Sequence, residues 1–234
     1  FDKFIEHDMD AVVLANYANE HAPFAIRCLK KGLHVFSEVL PCQNMKEAVE
    51  LVEAVEESGL VYAYGENYCY MPAPYEMKKL YEKGEIGEFE YGEGEYIHNC
   101  ESIWPGISYG DPKHWRNNMH ANFYCTHSLG PIIHITGLRP VSVIGFEVTK
   151  AERRRRTGCK GGQFGIEMVQ LENGGLIKSI QTGGIFPECI APDIFSAIHA
   201  AGGFFPLQRG GQTVKQSAFP TSTVPIICEI FLYS

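Results

Sequence analysis

No stretch of this sequence approaches the roughly 18 consecutive apolar residues that a membrane-spanning helix needs, so a soluble, cytoplasmic protein with no membrane partner is expected. Basic residues are in deficit, 20 against 28 acidic ones, which argues against a general nucleic-acid-binding surface. The eight cysteines include no CxxC or CxxH pair, so no structural zinc site is expected. With no signal peptide, they read as reduced thiols. His114, His120, His127 and His134 lack ligand spacing with carboxylates, so no metal site is expected. No GxGxxG occurs either. The nearest approach, Gly92-Glu93-Gly94, lacks the third glycine. The sequence also lacks an initiator methionine, and its opening residues read as the end of a helix feeding a strand. A chain that begins part-way through a fold is the expectation.

What is present is an ordinary globular composition, 45% hydrophobic and 21% charged, which excludes a collagen, a coiled coil and a wholly disordered chain. Ala11-Val12-Val13-Leu14-Ala15 is an apolar, β-branched run of the kind found in buried parallel strands. His21 to Lys31 has helical spacing, with Ala22, Ala25, Ile26 and Leu29 on one stripe and Gly32 placed to end it. His34 to Val39 reads as a second strand. Asn44 with Glu47 three residues on is a capping-box pattern opening an amphipathic helix that ends at Gly59. Leu60 to Tyr64 is a third strand. Strand, helix, strand, helix, strand with short links implies a parallel sheet with right-handed crossovers. Ligands bind such sheets at the strands' carboxyl ends, here Asn16-Tyr17, Glu38-Val39 and Glu66-Asn67. Three polar strand ends in succession point to a cofactor crevice.

The stretch from Ala11 to Gly59 resembles the Gfo/Idh/MocA oxidoreductases, through Asn16-Tyr17 to His21, Gly32-Leu33-His34-Val35 and Ser37-Glu38-Val39-Leu40-Pro41. The segment GEIGEFEYGEGEYIH is similar to that family's GxIGxF turn and the first strand of its second domain. Two positions depart from the family pattern: Val39 stands where a catalytic lysine commonly follows the glutamate, and Phe123 stands where an acidic residue usually precedes the second-domain histidine by four. With Glu66-Asn67-Tyr68-Cys69-Tyr70, Tyr96-Ile97-His98, Trp115-Arg116 and Tyr124-Cys125-Thr126-His127-Ser128-Leu129-Gly130-Pro131, they resemble the family's NAD-dependent glycosidase branch, typified by α-N-acetylgalactosaminidases. Where that branch tends to carry an arginine soon after YIH, this chain has Asn99-Cys100-Glu101.

The resemblance implies an α/β chain: the C-terminal half of a Rossmann-type parallel sheet, then an incomplete α+β open-faced sheet domain. Residues 1–68 would be a partial NAD(P)-binding domain and 69–186 a substrate and oligomerisation domain. Residues 187–234, with Glu188, Asp193, Arg209, Lys215 and Glu229 as their only charges, read as an atypical, frame-shifted or mis-joined tail. The implied cofactor is NAD, with NADP as the alternative, and the implied partners are a small-molecule sugar or glycoside and, in the complete protein, further copies in a homo-oligomer. Without the glycine-rich loop these residues alone are expected to bind NAD weakly.

Glu38 and Val39 with Asn67, and Asn16, Tyr17 and His21 in the loop after the first strand, are the expected cofactor contacts. His127 is the expected proton-transfer group, at the start of a helix and with a side chain that titrates near neutrality. Tyr124, three positions earlier, would share the catalytic site. Trp115 and Arg116 offer a stacking face and a cationic fork for a sugar, and Tyr96 and His98 share a strand face by the period of two. The Arg153–Arg156 run reads as a solvated hairpin loop. The resemblance implies hydride removal from sugar C3, elimination of the glycoside oxygen after loss of the C2 proton, water addition and hydride return. A sugar or polyol dehydrogenase and a non-catalytic or truncated relative are the alternatives.

Overall fold

A computed structural model describes residues 1–98, 100–149, 158–162 and 164–182, and the two-residue strands β8 (Gln208–Arg209) and β9 (Gln212–Thr213), which pair antiparallel. Asn99, the Arg153–Arg156 run and the 187–234 tail, apart from β8 and β9, lie outside the described residues.

The first apolar run forms β1 (Ala11–Leu14), parallel to β2 (His34–Ser37), which is in turn parallel to β3 (Tyr62–Tyr64). Helices α1 (His21–Lys30) and α2 (Met45–Ser58) make the crossovers. Consecutive strands joined by crossovers of one hand put both helices on one face of the sheet. Val12, Leu14 and Val35 accordingly bury against Ala25, Cys28 and Leu29 of α1 and Leu51 and Ala54 of α2. The other face is open among the described residues, with Val13 69% and Phe36 46% exposed. The limits of α2 are set by local chemistry. The Asn44 side chain accepts the Glu47 N–H, while the Glu47 carboxylate reaches one residue past the cap to accept the Gln43 N–H. At the far end Gly59 takes the left-handed conformation (φ 62°) that side chains resist.

After β3 a tight turn over Asn67–Tyr70 leads into α3 (Pro72–Glu82). A four-stranded mixed sheet follows in the order β4-β7-β6-β5, from β4 (Tyr91–Tyr96), β5 (Pro140–Val148), β6 (Phe164–Leu171) and β7 (Leu176–Thr182). β4 runs parallel to β7 and the other neighbours are antiparallel. Between β4 and β5 lie the short α4 (Trp104–Ile107) and α5 (Thr126–Thr136), which packs on the sheet around Phe89, Ile132, Val169, Leu171 and Ile177. Gly94 is explained by that packing, because a Cβ there would collide with the backbone carbonyl of Ser128. The Gly-Glu-Gly run is thus a helix-on-strand contact that seats the start of α5, including His127, beside the end of β4. The edge strand β5 leaves Val143, Ile144 and Phe146 exposed. A parallel sheet followed by a mixed sheet with helices is the architecture expected from sequence. No helix among the described residues is long and apolar enough to cross a membrane.

Candidate functional site

The carboxyl ends of β1, β2 and β3 face the segment from α4 to α5. A cavity of about 250 Å³ opens where they meet. Asn16, Tyr17 and Val39 line it from the parallel-sheet side, and Trp115, Arg116 and Tyr124 from the other. Six residues singled out from the sequence, for three different roles, are therefore brought to one space. Ile107 and Tyr109 close the rim, and neither carried a signal in the sequence. Tyr109 sits at positive φ (52°), and its ring approaches His114 at 6.0 Å. Tyr17 meets the same imidazole edge-on at 5.3 Å, and burial beside Tyr109 raises its hydroxyl above the ordinary value. The Arg116 guanidinium lies over the Trp115 ring at 4.7 Å, so the expected fork and stacking face form one unit.

Beside this cavity Tyr68, Tyr96 and Tyr124 surround the buried His127, with ring centroids 4.6, 4.4 and 5.3 Å from the imidazole. Tyr96 and Tyr124 stack on each other at 5.5 Å, and Tyr96 touches His98 at 4.4 Å. Burial pushes the Tyr96 hydroxyl well above its ordinary value, so that group stays protonated. Burial, with the neighbouring His127, pulls His98 down and favours its neutral form. His127 Nδ1 lies 2.7 Å from Glu66 Oε1, with both side chains almost fully buried. The same carboxylate oxygen accepts the Tyr68 N–H at 3.1 Å. Glu66 stands two residues beyond β3, beside Asn67, the neighbour singled out from the sequence. The sequence placed Glu66 at a strand end and in the Glu66–Tyr70 motif, but gave no sign of its histidine partner, 61 positions away.

Three expected cofactor residues stand elsewhere. Glu38 is exposed and folds its carboxylate back onto the Val39 N–H at 3.1 Å. Asn67 is exposed in the turn after Glu66. His21 is buried, with Nδ1 2.8 Å from the Leu40 carbonyl and Nε2 3.3 Å from that of Asn16, so it braces the loops after β1 and β2 against each other. Behind the site, Glu167 on β6 joins Ser179, Gln181 and Cys125 in a buried polar cluster, and burial raises its carboxyl to about 7. This cluster was not anticipated from the sequence.

A parallel half-sheet whose carboxyl ends meet a mixed sheet backed by a helix is a fold this chain shares with several solved dehydrogenases and oxidoreductases. The chain is similar over 77% of its length to myo-inositol 2-dehydrogenase from Lactobacillus plantarum (TM-score 0.63, 19% identity), covering 53% of that chain. It is similar over 79% of its length to aldose-aldose oxidoreductase from Caulobacter crescentus (TM-score 0.64, 21% identity), covering 54% of it. An inositol dehydrogenase homolog from Azotobacter vinelandii, solved with NAD+, matches over 79% of this chain and 48% of its own at TM-score 0.64 and 16% identity. The sequence relatives narrow the comparison to glycosyl hydrolase family 109. A family 109 protein of Phocaeicola vulgatus is 35% identical over 137 residues, 53% of this chain and 25% of that protein. An alpha-N-acetylgalactosaminidase of Bacteroides fragilis is 30% identical over 137 residues, 56% of this chain and 32% of that protein. The chain thus spans about a quarter to a third of the curated relatives it matches. No family model matches it.

Proposed function

We propose that this chain carries the substrate-facing part of an NAD(P)-dependent enzyme that acts on a sugar or glycoside by transient hydride transfer and elimination, with net glycoside hydrolysis. The observation that supports it most is the shared cavity, where residues at the parallel strands' ends face Trp115, Arg116 and Tyr124, with His127 alongside. The division of labour follows the two sheets, residues 1–68 on the cofactor side and 69–186 on the substrate side. The residues present fit the nicotinamide end of such a cofactor. They offer amide, hydroxyl and aromatic groups, and beside the same loop Asn19 Oδ1 and Trp115 Nε1 are buried without a hydrogen-bond partner among the described residues. An amide oxygen and an indole N–H suit the hydroxyls of a ribose.

When bound, the nicotinamide supplies a reversible hydride acceptor. Asn16, Tyr17 and Val39 border its place, His21 holds the two loops that carry them, and Glu38 and Asn67 stand exposed at the adjoining strand ends. Trp115 and Arg116 orient the sugar, and Tyr96 at the end of β4, with His98 just beyond it, packs beside His127. His127 exchanges the proton next to the oxidised carbon, and Tyr124 hydrogen-bonds the leaving oxygen. The homo-oligomer implied by the family resemblance would cover the apolar edge strand β5.

The test is to incubate the intact gene product with NAD and an aryl α-N-acetylgalactosaminide, following aryl alcohol and NADH together. Aryl release without NADH accumulation is expected. NADH accumulation on sugars or polyols without aryl release would replace this reading with a dehydrogenase, the activity of the structural neighbours. Neither signal would indicate a non-catalytic relative.

A further inference from the structure

Phe123 leaves the position four residues before His127 without a carboxylate, yet the imidazole is not without one. Glu66 reaches it from the other sheet, 2.7 Å from Nδ1, with about 95% of both side chains withdrawn from solvent (relative exposures 6% and 5%). We propose that Glu66 is the positioning residue of this site: it holds the neutral His127 ring with its proton on Nδ1, leaving Nε2 as the proton-accepting atom.

The argument rests on hydrogen-bond chemistry. An ionised carboxylate only accepts, so the proton between Glu66 Oε1 and His127 Nδ1 resides on the ring. A neutral imidazole has one N–H, so placing it on Nδ1 leaves the lone pair on Nε2. The carboxylate itself is pinned. Oε1 also accepts the Tyr68 N–H at 3.1 Å, and an added Cβ on Gly130 would lie 3.0 Å from Glu66 Cγ, so the α5 backbone packs directly on its stem. The ring cannot swing to an alternative partner, because Tyr68, Tyr96 and Tyr124 pack around it. The pair also ties the end of β3 to the start of α5, so the placement of the base depends on the parallel sheet that lines the opposite wall of the cavity. Glu66 touches neither the cavity nor, through Oε2, any partner among the described residues, which fits a group acting through His127.

This role presumes that His127 is the proton-transfer group of the proposed function, but its structural half can be read without turnover. ¹⁵N-imidazole NMR of this chain, with His127 assigned by the loss of its signals in His127→Gln, reports which ring nitrogen carries the proton in the neutral form. The expected result is Nδ1–H in the unmodified chain and loss of that signature in Glu66→Leu. Glu66→Gln, whose amide offers both a donor and an acceptor, is expected to give a mixture of tautomers and stands in where the leucine variant fails to fold. In the intact gene product Glu66→Gln is expected to lower kcat by about tenfold or more with little change in KM. A neutral-form proton on Nε2 in the unmodified chain, or Nδ1–H retained in a folded Glu66→Leu chain, would overturn the proposal. Intact Nδ1–H with no aryl release would instead overturn the functional reading alone.

Discussion

At the scale of single residues, burial decides chemistry more than identity does. Glu167 on β6 faces the buried cluster of Ser179, Gln181 and Cys125, and desolvation lifts its carboxyl from 4.5 to about 7. The folded protein therefore holds this proton more tightly than the unfolded chain does. The stability that this contributes is complete below about pH 4.5 and is lost as pH rises towards about 7. Urea midpoints measured across that window are expected to fall with rising pH, and Glu167→Gln is expected to flatten the fall. An unchanged slope in the variant would remove Glu167 as its cause. Burial also pushes the Cys69 and Cys125 thiols up to about 12. Alkylation near pH 8 is expected to spare both in the native chain and to reach them after unfolding, as mass spectrometry of peptides would show. Neither shift was legible in the sequence, because each arises from neighbours brought together across more than one element.

Elements were far more legible. Lys30 and Lys31 before Gly32, and Asn44 with Glu47 before an amphipathic run ending at Gly59, are signals whose causes lie within a few residues, so α1 and α2 formed where the pattern put them. Asn44→Ala removes the acceptor for the Glu47 N–H and is expected to cost about 1 kcal/mol in chemical unfolding. Gly94 was different. Its meaning is the close approach of α5, which no local pattern announces, and the phosphate-loop comparison could only exclude one role for it. Gly94→Ala is expected to destabilise the chain by roughly 1–3 kcal/mol, since the added methyl meets rigid backbone at Ser128 rather than a side chain that can turn away. A variant as stable as the parent in urea would show that α5 shifts freely on β4. The strand ends were also legible only in part: β2 stops at Ser37 rather than Val39, because Glu38 turns its carboxylate onto the following N–H where the ladder ends.

Across the whole molecule, two features bear on assembly and function: the junction between the sheets and the β5 edge, exposed among the described residues. If β5 is covered in an oligomer of the intact gene product, Phe146→Lys places a charge in that contact, and light scattering behind size exclusion is expected to show a smaller species. An unchanged mass would place any interface elsewhere. The junction is the harder feature to foresee. By itself the sequence determined the parallel half-sheet, the two capped helices, the position of His127 at a helix start, and the set of polar strand ends, because periodicity, caps and turns act over three or four residues. Only the tertiary structure decided that His21 braces two loops, that Glu66 rather than Asn67 meets His127, and that Tyr109 closes the cavity. Those outcomes depend on which side chains the crossovers carry to the same place, over separations such as the 61 positions between Glu66 and His127, and no local interaction encodes them.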